Sequence, residues 1–160
     1  MEIEIRNAVL HDIPQIVELM RRFAEYERLL DHFEATEESL ADAMFGHEAF
    51  VNGLVADDNN DHLAGYALFY QNYATFRGQR GMYLEDIYIS PEFQSKGIGE
   101  AMLRRLAKIA IDRGCGRIDF QVLEWNRPAI SFYEKLGAVR DDTERHFKFT
   151  DEAFRRLAGE

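Results

Sequence analysis

Two adjacent carboxylates, Glu85 and Asp86, interrupt the otherwise apolar run Tyr83-Leu84-Glu85-Asp86-Ile87-Tyr88-Ile89. Successive side chains of a strand point to opposite faces, so the two acids are expected on opposite sides of a sheet, with at least one buried or lining a cleft. An acid so placed is costly without a partner or a task, which marks the pair for proton transfer or cation binding. Further along, Gln94-Ser95-Lys96-Gly97-Ile98-Gly99-Glu100 follows a strand and opens a helix. Glycines there let the backbone approach a ligand closely, and the free N–H groups of a helix start suit a pyrophosphate. The loop lacks both the Gly-x-Gly-x-x-Gly dinucleotide spacing and the Gly-Lys-Ser/Thr ending of a nucleotide P-loop. A third segment, Asn126-Arg127-Pro128-Ala129-Ile130-Ser131-Phe132-Tyr133, places Asn126 to cap a helix. Two turns on, the phenol of Tyr133 could face a pocket or pack in a core.

These groups need a scaffold, and hydrophobic spacing outlines one. Ile3 and Ile5 alternate with acids in an opening strand, and Asp12 is placed to cap a helix whose apolar positions Ile13, Ile16, Val17, Met20, Phe23 and Leu30 recur at helical spacing. Thr36 caps a second helix running to about Met44, closed by Gly46. Residues 50–56 and 63–73 read as strands joined through the turn-forming cluster 57–61, and 82–90 as a third strand ended by Pro91. A helix follows Gly97, then a strand over 117–123, a helix between Asn126 and Gly137, and a last strand over 144–150. This order predicts one α+β domain over residues 1–160, a mixed and mostly antiparallel sheet with helices on both faces.

The 160 residues carry a net charge of −10. That balance disfavours nucleic-acid binding, which needs a surplus of phosphate-pairing cations. The imbalance lies in one place: residues 25–61 hold eleven acids against the single base Arg28. Such a segment is either a solvated face or, if it overlooks a cleft, a field that concentrates cationic small molecules. The lone Cys115 cannot form an internal disulfide, and the five histidines show no metal-ligand spacing with it, so no metal is expected. With neither a signal peptide nor a membrane span legible, the protein is expected to be soluble and cytoplasmic.

Taken together, Gln94-x-x-Gly97-x-Gly99, the strand before it, and Asn126-x-Pro128-Ala129-x-x-Phe132-Tyr133-x-x-x-Gly137 resemble the GNAT superfamily of acetyl-CoA-dependent N-acetyltransferases. The likeness runs over nearly the whole chain. Within that superfamily the sequence is most similar to the spermidine/spermine (diamine) N-acetyltransferase group. Phe23-Ala24-Glu25-Tyr26-Glu27, Thr36-Glu37, Phe45-Gly46, Tyr83-Leu84-Glu85-Asp86 and Glu124-Trp125-Asn126-x-Pro128 carry that closer match.

The resemblance implies roles. Backbone groups of Ile87, Tyr88 and Ile89 would pair with the pantetheine arm of acetyl-CoA, and the loop from Gln94 through Ser95, Lys96, Gly97, Ile98 and Gly99 to Glu100 would hold its pyrophosphate. Asn126 and Ala129 would touch the same molecule, and Tyr133 would be the general acid beside the thioester sulfur. Glu85 would be the base, acting through water. Tyr26, Glu27, Asp86, Asp119, Phe120 and Gln121 would line the amine side. The chemistry is consistent with these roles: deprotonating an alkyl amine of pKa about 10.4 at pH 7 costs roughly 4.6 kcal/mol, which a carboxylate raised toward neutrality can supply.

The polyamine enzymes carry an acid in the loop before Tyr83, where this chain has Thr75 followed by Arg77 and Arg80. Two cations there oppose a long polycation, so a shorter amine, a lysine-like amino acid or thialysine is an equal expectation. Acetylation of a peptide or protein N-terminus or lysine, and a non-catalytic acyl-CoA-binding module, are the competing readings. Relatives of this group are commonly dimers, so a homodimer is expected.

Overall fold

In the computed structural model, which describes residues 2–160, a five-stranded sheet runs in the order β1-β2-β3-β4-β5. The strands are β1 (Glu4–Asn7), β2 (Asn52–Asp57), β3 (Leu63–Ala74), β4 (Gln79–Ile89) and β5 (Cys115–Asp119). The first four pair antiparallel, and β5 joins β4 in parallel through the crossover helix α3 (Ile98–Asp112). The chain divides into two compact units, one ending at Gln121 and one comprising Val122–Glu160.

Alternation along the strands builds two apolar layers in the first unit. Leu54, Ala67, Phe69, Met82 and Leu84 pack with Ile98, Met102 and Leu106 of α3. On the other face Val55, Tyr66, Leu68 and Tyr88 pack with Ile13, Ile16 and Leu19 of α1 (Ile13–Tyr26) and with Leu40 and Met44 of α2 (Glu37–Phe45). The mixed, mostly antiparallel sheet with helices on both faces is thus the arrangement the sequence predicts.

Several local expectations give way. Asp12 does not cap α1 with its side chain. Its carboxylate accepts from the Val9 amide at 2.8 Å and pairs with Arg6 at 2.8 Å, and Arg6 also pairs with Asp57 at 2.8 Å. This knot ties β1, β2 and the start of α1. The helix stops at Tyr26, short of Leu30, because Arg28 adopts a left-handed φ of 61°. Thr36 does cap α2, accepting from the Ser39 amide at 3.0 Å.

The second unit holds α4 (Arg127–Lys135) and α5 (Asp151–Ala158). The strand expected over 144–150 is absent, and that stretch is irregular. Its alternation suits a strand, but no ladder includes it among the described residues. The helix that follows was not foreseen; Asp151 and Glu152 in its first turn and Arg155 and Arg156 in its last complement its dipole.

Candidate active site

The ladder between β3 and β4 holds the key irregularity. Leu84 pairs with Phe69 and Asp86 with Leu68, which leaves Glu85 as an extra residue, a β-bulge. The bulge overturns the expectation that Glu85 and Asp86 point to opposite faces. Tyr66 and Tyr70, which share one face of β3, donate to both: Tyr66 to Asp86 Oδ2 at 2.8 Å and Tyr70 to Glu85 Oε2 at 3.0 Å.

The two acids differ in surroundings. Asp86 is partly buried, and desolvation pushes its carboxyl up to about 6, with the Tyr66 hydroxyl pulling it down and the Glu85 charge adding to the rise. Glu85 is exposed. Glu27, at the end of α1, is also raised, first by burial and then by the charge of Asp86. Phe23 stacks on Tyr88 with ring centroids 5.2 Å apart, which seats the last turn of α1, and hence Tyr26 and Glu27, over β4. Burial and the nearby Asp86 charge also raise the Tyr66 phenol.

Beyond Tyr83, whose partner on β5 is Asp119, β4 has no strand on its β5 side among the described residues. The Ser90 amide donates to Ala64 of β3 at 2.9 Å, so by alternation the N–H groups of Ile87 and Ile89 point to the open edge. The side-chain amide of Gln94 donates to the Ile89 carbonyl at 3.0 Å, linking this edge to the glycine loop. In the loop Ser95 (φ 63°) and Gly97 (φ 78°) are left-handed, and Gly97 begins α3 with no capping side chain. A side chain built on Gly97 would meet nothing within 4 Å, so the helix N-terminus is open to an anion. Lys96 lies over Phe93, its Nζ 5.4 Å from the ring centroid. Glu100 is held by Arg104 at 2.6 Å. An extended open edge running into an open helix start fits a pantetheine arm and a pyrophosphate in series.

The other predicted residues are placed as follows. Asp119 pairs with Arg117 at 2.7 Å, Phe120 packs on the α3 side of the sheet, and Gln121 is exposed. In the second unit the carboxamide of the buried Asn126 accepts from the Ala129 amide at 3.4 Å, capping α4 as expected. Tyr133, half-buried, lies tilted at 60° to the Phe132 ring with centroids 5.3 Å apart. The structure thus brings together Glu27, Glu85 and Asp86 beside an open strand edge and the glycine loop. Sequence reasoning missed Tyr66 and Tyr70. Counting pairs back from the turn at 75–78 would place Tyr70 opposite Tyr83, but only the bulge carries Glu85 to its hydroxyl.

Among the described residues no cluster of histidine, cysteine and acidic side chains is arranged to hold a metal, and no helix is long and apolar enough to cross a membrane.

Comparison with known proteins extends the picture. Thialysine N-epsilon-acetyltransferase of Bos taurus is 40% identical, with 97% of this chain and 96% of that protein aligned. L-ornithine N5-acetyltransferase of Arabidopsis thaliana is 30% identical over 84% of this chain and 78% of its own length. Among solved structures, an integron cassette protein from the mobile metagenome of V. cholerae superposes with a TM-score of 0.81 at 26% identity, covering 100% of this chain and 99% of that one. The profile of the acetyltransferase (GNAT) family matches residues 13–138, and the chain belongs to that family.

Proposed function

We propose that this protein transfers the acetyl group of acetyl-CoA to a primary amine of a small cationic molecule, a thialysine- or lysine-like amino acid or a short diamine. The observation that carries the reading is the cluster of Glu27, Glu85 and Asp86 at the face of β4 whose open edge leads into the glycine loop. Relatives named for thialysine and ornithine acetylation support the same substrate class.

Acetyl-CoA, when bound, supplies an acetyl thioester. The N–H groups of Ile87 and Ile89 hold its pantetheine arm, and the loop from Ser95 to Glu100 receives its pyrophosphate on the N-terminus of α3. Asn126 and Ala129 belong to the same binding role. Glu85 takes the ammonium proton, directly or through water, and the free amine forms the new N–C bond as the C–S bond breaks. Tyr133 gives its phenolic proton to the departing thiolate, an exchange between groups of pKa about 10 and about 8.5, and recovers a proton from the newly acylated nitrogen, so that the neutral amide and free thiol leave and the proton on Glu85 passes to solvent. Tyr26, Glu27 and Asp86 favour a cation, and Asp119, Phe120 and Gln121 complete the amine side. The reading includes a cytoplasmic homodimer and a single functional domain over residues 1–160.

A thiol-release assay with acetyl-CoA across thialysine, lysine, ornithine, short diamines, spermidine and lysine peptides tests it. Turnover confined to small cationic amines is expected. No turnover with any of them while acetyl-CoA still binds would overturn the reading, and a preference for peptides in kcat/KM would replace the substrate class.

A further inference from the structure

Tyr66 and Tyr70 stand four residues apart on one face of β3, and the bulge delivers two consecutive acids of β4 to their hydroxyls at 2.8 Å and 3.0 Å. Neither phenol can move far. Tyr66 is fully enclosed in the layer beneath α1 and α2, and the Tyr70 ring stacks on Tyr83 with centroids 5.3 Å apart. A donor fixed by packing fixes the carboxylate that accepts from it.

The two acids meet different demands. A proton taken from substrate in each cycle must leave again, which suits exposed Glu85. A desolvated pair of like charges, Asp86 with Glu27, is relieved by a cation between or beside its members and suits binding.

We propose that Tyr66 and Tyr70 are positioning residues that divide the work of the two acids: Tyr70 aims Glu85 at the amine to be acetylated, and Tyr66 holds Asp86, with Glu27, as the seat for positive charge on the substrate. This rests on the acetyl-transfer reading above. The groups facing Asp86 are Tyr66 from β3, Glu27 from the end of α1 and its neighbour Glu85; Tyr70 and Tyr83 face Glu85, and Asp119 acts on Tyr83 from β5. Arg22, Glu25, Tyr26 and Glu92 surround Tyr88, the next residue of β4 on the Asp86 face.

Tyr70→Phe and Tyr66→Phe keep the rings and remove only the donors. Steady-state kinetics with thialysine and a short diamine across pH 5 to 9 read the consequence, together with carbon-13 NMR titration of the Asp and Glu carboxyls. Tyr70→Phe is expected to lower kcat about tenfold, leave KM within about twofold, and move the acid limb of the kcat profile upward by about half a unit to one unit. Tyr66→Phe is expected to raise the amine KM about tenfold with kcat within about threefold, and to move the Asp86 carboxyl titration upward.

Variants that change the same parameter, or a Tyr70→Phe kcat lowered equally at every pH, would overturn the division. Unchanged carboxyl titrations would overturn the positioning whatever the activity. If the titrations move but wild-type protein acetylates no amine, the acetyl-transfer reading fails and the tyrosine–carboxylate coupling stands.

Discussion

The side-chain amide of Gln94 donates a 3.0 Å hydrogen bond to the carbonyl of Ile89, fastening the glycine loop to the end of the strand whose edge is open. One neutral hydrogen bond contributes about 1 kcal/mol. Gln94→Ala is therefore expected to raise the KM for acetyl-CoA by about three- to tenfold while the amine KM stays within about twofold. Equal effects on both would show that the bond supports the whole site rather than the acetyl-CoA side.

Gly97 sits at φ 78° with open space where a side chain would project. Gly97→Ala thus meets no steric neighbour, and its cost is the left-handed backbone, about 1–2 kcal/mol. A melting temperature lower by roughly 2–8 °C and a weaker Kd for CoA by calorimetry are expected. If the Kd is unchanged, the loop does not receive the pyrophosphate.

The Arg6 knot makes folding sensitive to acid. Burial alone would raise the Asp12 carboxyl, but hydrogen bonds from Arg6 and the Val9 amide, with the Arg6 charge, bring it below the usual range; the Arg6 hydrogen bond leads in lowering Asp57. A depressed carboxyl stabilises the fold above its unfolded value, about 3.9, and that contribution fades as pH falls through the lower folded value. Urea titrations should show stability declining below about pH 4. Asp12→Asn should remove about 2–3 kcal/mol at pH 7 and flatten the decline, since one partner of a largely buried pair is neutralised. A decline as steep as in wild type would place the acid sensitivity elsewhere.

Asp86 behaves in the opposite sense. Burial pushes its folded value up to about 6, above the unfolded one, so its ionisation opposes folding fully above pH 6 and not at all well below pH 4. Asp86→Asn is expected to stabilise the protein by about 1–3 kcal/mol near pH 8, to change little near pH 4, and to weaken amine binding. Destabilisation at pH 8 would mean that Asp86 serves the fold rather than the substrate.

The acidic segment gives a rate test. Eight of its acids, Glu25, Asp31, Glu34, Glu37, Glu38, Asp42, Glu48 and Asp61, are exposed, and Asp57 is taken by Arg6. Their summed field attracts cations over about a Debye length, about 10 Å in 0.1 M salt. For the best cationic amine, kcat/KM should fall as salt rises. Insensitivity to salt would make the segment a solvated face.

Much of this arrangement is legible from residue spacing, because the periods of Ile13-Ile16 in α1 and Met102-Leu106 in α3, the Thr36 cap and the glycine loop are local signals. What escaped depends on partners distant in sequence. Asp12 looks like a cap until the Arg6 guanidinium, which Asp57 also holds, and the Val9 amide take its oxygens. The alternation over 144–150 looks like a strand, but alternation does not supply a neighbouring edge. The bulge at Glu85 is set by pairing with β3, so strict alternation assigns the two acids to opposite faces and passes over Tyr66 and Tyr70.

The bulge also separates what the strand builds from what it presents. Leu84 and Asp86 already pair with adjacent residues of β3, Phe69 and Leu68, so Glu85 is surplus to the ladder. Deleting it, rather than substituting it, would close the ladder into regular register and leave every other side chain of β4 on its present face. The shortened chain should fold, keep Asp86 against Tyr66, and lack the group proposed to accept the proton. At this one position, losing a residue is gentler on the architecture than on the chemistry.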